Sequence, residues 1–153
     1  SRPTIVLMEG LTQYLPASAT EATLKELSDC LPAVKVIVGY IDERTFADPS
    51  HLVGKAWGDD GVKLQMFLAM TAKVGEKWIS GWSSDSFKAM CKSANFSVTS
   101  ETLPSDANEK YLKPLGRLSP PEHKFDVERW AVLPRSAGLA PAPITLDSFP
   151  DRA

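Results

Sequence analysis

The residues with the clearest potential for chemistry in this 153-residue chain are basic and aromatic side chains near its middle. Residues 62–99 contain five lysines and two acids, a local charge of +3, and Trp78 and Trp82 lie among them. Lysine side chains bind the phosphates of nucleic acids, and tryptophan rings stack on unpaired bases. The pattern predicts an RNA-binding patch formed by Lys63, Lys73, Lys77, Lys88 and Lys92.

This lysine cluster also has an ordinary interpretation, a solvated surface over a core that contains the tryptophans. The rest of the chain is not basic, because residues 1–61 have a charge of −4 and residues 100–153 a charge of −1. A net charge of −2 is not typical of a nucleic-acid-binding protein as a whole. RNA contacts are therefore expected only from the middle third of the chain.

The sequence does not contain the usual motifs for nucleotide or zinc binding, and no cofactor or metal is expected. A phosphate-binding loop needs several glycines after a strand, whereas the first predicted strand is followed only by Gly10. His51, His123, Cys30 and Cys91 contain no close pair with the spacing of a zinc site. Both cysteines lie beside apolar residues in predicted helices, so we expect buried, reduced thiols.

Carboxylates offer an alternative function, a small α/β enzyme. Glu9 follows the first predicted strand, and Asp42 and Glu43 follow the second. Open α/β sheets bind ligands at the carboxyl ends of their strands, so these acids are expected to approach one another there. Asp59 and Asp60 are adjacent and suit a magnesium ion, although solvated turn acids are the simpler interpretation.

The elements that must position these residues begin with a strand, a helix and a second strand. Apolar runs predict strands over 4–8 and 34–41, and leucines at helical spacing predict a helix over 18–31. Ser18 and Glu21 have the spacing of a capping box, and Pro32 ends the helix. This order predicts an α/β fold, with a small mixed or parallel sheet layered with helices. The expected core residues are Ile5, Leu7, Leu24, Leu27, Leu31, Val36 and Val38.

Further elements are predicted along the rest of the chain. Helices are expected over 49–57 and 62–74, the second with an apolar stripe at Val62, Met66, Ala69, Met70 and Val74. Ser84 and Asp85 suit the capped start of a helix that runs to about residue 94, rather than a catalytic site. Short strands are expected over 77–82 and 96–99.

The C-terminal part of the chain is rich in proline, with eight of the twelve prolines after residue 103. A short helix is predicted from Ser119, with Phe125 and Trp130 on it. After Leu133 the periodicity fades, so we predict an α/β core domain over 1–133 and an extended or flexible arm over 134–153. No apolar run approaches the ~20 residues of a membrane span, and the start of the chain is not a signal peptide.

Two parts of the sequence resemble the minor inner-core protein of the cystoviruses, the double-stranded RNA bacteriophages. They are Lys77–Ser80 with Phe87–Asn95, and Leu118–Pro120 with Arg135–Asp147. The resemblance implies a non-enzymatic protein of the virion interior and host cytoplasm that assists procapsid assembly and packaging of the RNA genome. It also implies a homodimer, with the capsid shell protein, the viral polymerase and RNA as partners, and no membrane. An interaction subunit of another large complex is a further alternative.

Overall fold

In a computed structural model, which describes residues 3–54, 61–118, 120 and 126–136, the chain forms a four-stranded mixed sheet with helices. The strand order is β1-β2-β4-β3, in which β1 is parallel to β2 while β4 is antiparallel to both of its neighbours. The predicted α/β fold class is confirmed. The strands are β1 (Thr4–Met8), β2 (Val34–Ile41), β3 (Ser100–Thr102) and β4 (Glu128–Pro134).

Five α-helices connect or follow these strands in the described part of the chain. They are α1 (Ala17–Cys30), α2 (Arg44–Ala47), α3 (Val62–Lys73), α4 (Ser84–Ser93) and α5 (Pro104–Ala107). Short 3-10 turns lie at Thr12–Tyr14, Pro49–His51 and Lys113–Leu115, and a π-helical turn lies at Asn108–Leu112.

Helix α1 is the crossover between the parallel strands β1 and β2. It begins after Pro16, which is the N-cap residue, and no side chain caps this end of the helix. The predicted capping box of Ser18 and Glu21 is therefore wrong. It ends at Cys30, and Leu31 has an extended backbone because the ring of Pro32 disfavours a helical conformation at the preceding residue. The end of this helix is therefore confirmed, while its start is set one residue earlier than predicted.

The main hydrophobic core lies between one face of the sheet and helices α1 and α4, which pack against each other. Leu24 of α1 and Phe87 of α4 are fully buried against Val36 and Val38 of β2. The ring of Phe87 also stacks on Tyr40, with 3.8 Å between the centroids. Of the predicted core residues, Leu24, Val36 and Val38 are confirmed, while Leu27 and Leu31 are partly buried at its margin.

A second, smaller core lies near the start of β4. Leu64 of α3 packs there with Leu52, Val53 and Val127, and Leu68 is partly buried against them. This cluster places α3 beside the start of β4.

Three predictions of secondary structure differ from the fold. Residues 77–82 form no strand, although Trp82 makes an isolated bridge with Asp42. The strand expected over 96–99 begins at Ser100, because the preceding residues run beside β4 with irregular hydrogen bonding. Trp130 lies in β4 rather than in a helix, since pairing with β2 outweighs the local helix-start signal.

The C-terminal arm was predicted to start at residue 134, yet the sheet extends slightly further. Pro134 ends β4, Arg135 bridges to Phe96, and the Ser136 amide donates to the Asn95 carbonyl. Residues 137–153 lie outside the described residues, as do Ser119, Phe125 and part of the predicted helix over 49–57. Within the described part, no helix has the length and apolar character needed to cross a membrane.

Candidate functional site

The two faces of the sheet differ sharply in their exposure to solvent. Side chains alternate between the faces along each strand, so Met8 faces the helices while Leu7 faces away from them. Met8 is 4% exposed, whereas Ile5 is 69% and Leu7 is 59% exposed. The prediction that Ile5 and Leu7 belong to the core is wrong, because β1 is an edge strand and the packed helices α1 and α4 lie on the other face.

Strand pairing places more apolar side chains beside these two. Leu7 pairs with Ile37 of β2, and Ile37 pairs in turn with Val132 of β4. Such cross-strand neighbours lie on the same face of a sheet, and a contiguous exposed apolar patch marks an interaction site. We call this surface the open face. It is defined by Ile5 and Leu7, which are exposed, and by Ile37, Trp130 and Val132, which are partly buried.

The open face has opposite charges at its two ends. Lys35, which pairs with Ile5, is exposed at one end. Glu128 is paired with Ile41 at the other, about 20 Å away for six residues of strand. Burial, followed by the negative charge of Glu9, raises the pKa of Glu128, although a hydrogen bond from Trp130 opposes the change.

Helix α3 is the second element that exposes large apolar side chains. Only Leu64 of this helix is fully buried, with Leu68 partly buried behind it. Its opposite side carries apolar residues at four-residue spacing, which we call the α3 stripe. The α3 stripe consists of Val62, Met66, Met70 and Val74, which are 52%, 61%, 66% and 75% exposed.

A polar cluster lies at the end of the helix-covered face. The Tyr40 hydroxyl donates to one oxygen of Glu101, and the Ser84 hydroxyl donates to the other at 2.5 Å. Lys88 Nζ lies 2.9 Å from this second oxygen and 2.7 Å from Ser84 Oγ. Burial raises the pKa of Glu101, but the hydrogen bonds from Ser84, Tyr40 and Lys88 outweigh it and hold the pKa below its usual range. Each of these groups is therefore engaged within the fold.

Asp42 is a buried anchor at the carboxyl end of β2. The Arg44 guanidinium donates two hydrogen bonds of 2.9 and 2.8 Å to its carboxylate, and Arg129 donates two of 2.9 and 3.1 Å. Burial raises the pKa of Asp42, but hydrogen bonds from the two guanidinium groups lower it overall to about 2. Asp42 therefore holds α2 and β4 together as a permanent anion.

This arrangement bears on the carboxylate site expected for an enzyme. Asp42 is saturated by arginines, while Glu9 and Glu43 are exposed. Among the residues that the structure describes, no three His, Cys, Asp or Glu side chains are placed to hold a metal ion. Asp59 and Asp60 lie outside those residues.

A shallow depression of about 320 Å³ lies at the other end of the sheet, where β1 and β2 begin. It is not at the strand ends where a ligand site was expected. Its described walls contain no carboxylate, and consist of Pro3, Thr4, Ile5, Pro32, Ala33, Val34, Lys35, Pro134 and Arg135.

The predicted RNA-binding lysines fall into two groups. Lys63 and Lys73 lie on α3, and Lys77 follows its end, whereas Lys88 and Lys92 lie on α4. Lys88 is bound to the Glu101 carboxylate, so its charge is already compensated. The group around α3 is therefore the better candidate for contacts with phosphate.

The remaining candidate side chains have structural explanations. Burial, together with the charge of Glu101, raises the pKa of the Cys91 thiol to about 12, so it stays protonated and inert. Cys30 is exposed at the end of α1, and its predicted burial is wrong. His51 lies on an exposed turn, with its Nε2 4.0 Å from a carboxylate oxygen of Asp48.

No protein-family model matches the chain, and no curated protein matches it significantly. Function must therefore be argued from the surfaces themselves. The open face escaped sequence reasoning because the apolar run of β1 is the same for an edge strand as for a buried one, and the order of the strands decides between them.

Proposed function

We propose that this chain is a non-enzymatic core protein of a virus particle, which assists procapsid assembly and packaging of the RNA genome. The observation that carries an assembly role is the open face, on which Ile5 and Leu7 are more than half exposed. When a partner covers such a surface, the free energy of association becomes more favourable by about 25 cal/mol for each Å² of apolar area removed from water. The resemblance to the cystovirus inner-core protein supports the viral context.

The first partner that we propose for the open face is a second copy of the chain. A two-fold axis parallel to the sheet and perpendicular to β2 would stack two open faces with their β2 strands antiparallel. Lys35 of one copy would then lie opposite Glu128 and Glu9 of the other, because these charges occupy opposite ends of the face. Such self-complementarity is the property that a two-fold interface requires.

Light scattering coupled to size-exclusion chromatography tests this dimer. The full chain is expected to elute as a dimer at micromolar concentration, and Leu7→Glu as a monomer, because the substitution places two carboxylates within the apolar interface. Leu115→Glu is the matched control, since Leu115 is 67% exposed on another part of the surface. A Leu7→Glu protein that remains dimeric, or a native chain that is monomeric throughout, would refute the proposed interface.

The proposed packaging role includes direct contact with RNA through the lysines around α3. Lys73 and Lys77 are exposed, and neither forms an ion pair with another described residue, although Glu76 lies between them in sequence. Replacing both with glutamate should weaken RNA binding and reduce the slope of affinity against salt by about two released counterions. Lys25→Glu on α1 is the control, and equal salt slopes for all three proteins would contradict the RNA contact.

We further propose the capsid shell protein and the viral polymerase as protein partners. The α3 stripe is a second exposed apolar surface, formed by a segment of the chain far from β1 in sequence. Its exposure supports at least one interaction besides dimerisation. The arm predicted over 134–153 would act as a tether to these partners or to RNA. Co-purification of the chain with shell protein, and its loss in Met66→Glu, would test this part of the proposal.

A further inference from the structure

Helix α3 has the composition of a buried helix in an exposed position. Leu64 packs inward, yet the α3 stripe on its other side is at least half exposed along its whole length. Phe67 widens this apolar surface and packs edge-on against Trp78, with 5.5 Å between ring centroids. A helix that is apolar on both sides is normally covered on both sides, so the α3 stripe requires an occupant.

The charge of α3 limits what that occupant can be. The helix contains Lys63 and Lys73 and no acidic residue. Lys63 already interacts within the chain and Glu76 follows the helix, so the positive charge that a partner can meet beside the stripe is that of Lys73. Packing α3 against α3 of a second copy would bring like charges together, which destabilises an interface. A complementary occupant has apolar anchors with acidic side chains between them.

The C-terminal arm contains a segment with this chemistry. Its sequence is Ile-Thr-Leu-Asp-Ser-Phe-Pro-Asp over residues 144–151, in which Ile144, Leu146 and Phe149 alternate with Asp147 and Asp151. The only basic residue between positions 137 and 153 is Arg152, which follows the segment. Apolar anchors and negative charge thus occur together, as α3 requires.

The arm is also long enough to reach α3. Val127 shares a cluster with Leu64, so α3 lies near the start of β4, and Ser136 is nine residues, or at most about 30 Å, further along the strand direction. Ten residues separate Ser136 from Leu146, and an extended chain of that length spans up to about 35 Å.

We propose that the segment 144–151 binds the α3 stripe of its own chain. Ile144, Leu146 and Phe149 contact the methionines of the stripe, and Asp147 lies near Lys73. The binding does not depend on the viral function proposed above, although Asp147 and RNA would compete for Lys73. It leaves the open face available and covers the second apolar surface until a partner displaces the segment.

The methionines of the stripe provide a direct test in the full chain. Met66 and Met70 are the probes, while Met8, which is 4% exposed, serves as a protected reference. Peroxide oxidation of each methionine, followed by mass spectrometry, should be at least about threefold faster at the probes in Leu146→Ser/Phe149→Ser than in the native chain, because only the exposed, undocked population reacts. Leu139→Ser, outside the segment, is the matched control and should oxidise like the native chain.

Equal oxidation rates in the native and doubly substituted chains would overturn the proposal. So would protection that persists in the double variant and grows with protein concentration, because it would assign the stripe to a second copy. A charge exchange adds specificity: Lys73→Asp should expose the probes, and adding Asp147→Lys should restore their protection. Failure of this restoration, with the probes exposed in both variants, would remove Asp147 from the contact and overturn the paired-charge arrangement.

Discussion

The two faces of the sheet are built from similar apolar side chains but lie in opposite environments. On the helix-covered face, Val36 and Val38 are fully buried beneath α1 and α4. On the open face, Ile5 and Leu7 are mostly in contact with solvent. Complete burial of such a side chain contributes about 1.5–3 kcal/mol. On the covered face this contribution stabilises the folded chain, whereas on the open face it becomes available only when a partner binds.

The polar groups follow the same division. On the covered face, carboxylates are matched by donors, as Asp42 is by Arg44 and Arg129, and their pKa values are lowered. On the open face, Glu128 is partly buried near Glu9, and its pKa is raised. The carboxylates of the covered face are thus paired with cations of the same chain, whereas no described basic side chain forms an ion pair with Glu128 of the open face.

The largest expected effect is on the free energy of unfolding, when leucine is replaced by alanine on each of the two faces. Leu24→Ala should lower the free energy of unfolding by about 3 kcal/mol, because Leu24 is fully buried and its loss leaves a cavity. Leu7→Ala should change monomer stability by less than about 1 kcal/mol, since its side chain is mostly hydrated already. Urea unfolding of both variants at a concentration that keeps them monomeric measures the difference, and equal losses would abolish the contrast.

The Asp42 anchor gives the next largest effect. Asp42→Asn should cost about 2 kcal/mol at neutral pH, given a pKa near 2 instead of 3.8 and about 1.36 kcal/mol per pH unit. A lowered pKa stabilises the fold above the unfolded value near 3.8, and this stabilisation is lost as the pH falls towards 2. The stability gap between the native chain and Asp42→Asn should therefore narrow in acid, and a gap that is constant from pH 7 to pH 2.5 would argue against this assignment.

Tyr40→Phe tests the hydrogen-bonded cluster with a smaller change. It should cost about 1 kcal/mol, because Phe retains the stack on Phe87 while Glu101 loses one donor. The pKa of Glu101 should rise at the same time, since one of the hydrogen bonds that lower it is removed. Carbon-13 NMR titration of the carboxylates measures this rise, and Tyr14→Phe at an exposed site is the control.

The smallest effect is expected for Glu128→Gln, which should change the stability of the monomer and that of the proposed dimer in opposite directions. The raised pKa of Glu128 means that its ionisation destabilises the fold as the pH rises through that pKa, so Glu128→Gln should stabilise the monomer at neutral pH by less than about 1 kcal/mol. The gain should vanish in acid, where the native carboxyl is protonated. Dimerisation should nevertheless weaken, because Lys35 of the second copy loses its partner, and an unaltered dimer constant would rule out that pairing.

Local signals were sufficient for much of the fold. The apolar run of β1, the leucines of α1 and the effect of Pro32 on Leu31 are short-range features, and each predicted its element well. The start of α4, which the Ser83 side chain caps, and the left-handed backbone of Asn95 (φ 66°), two residues past the end of the helix at Ser93, also follow from local chemistry.

What could not be predicted depends on contacts between distant residues. Trp130 belongs to β4 because that segment pairs with β2, about ninety positions earlier, and nothing near Trp130 encodes the pairing. The exposure of Ile5 also depends on long-range packing, because helices α1 and α4 cover only the other face of the sheet. The candidate surfaces could therefore not be predicted from the sequence. The candidate lysines could be identified, but their partners could not, as the contact of Lys88 with Glu101 shows.

The position of β4 has a consequence for the synthesis of the protein. Among the described residues it is the last strand in sequence but an inner strand of the sheet, where it joins β2 to β3. On the ribosome, β2 has only β1 beside it, and β3 has no strand to pair with, until the residues around Pro134 have emerged from the exit tunnel. Completion of the sheet is thus delayed until β4, more than eighty residues after the end of β2, has been made, and a chain interrupted before β4 would expose both edges of an unfinished sheet.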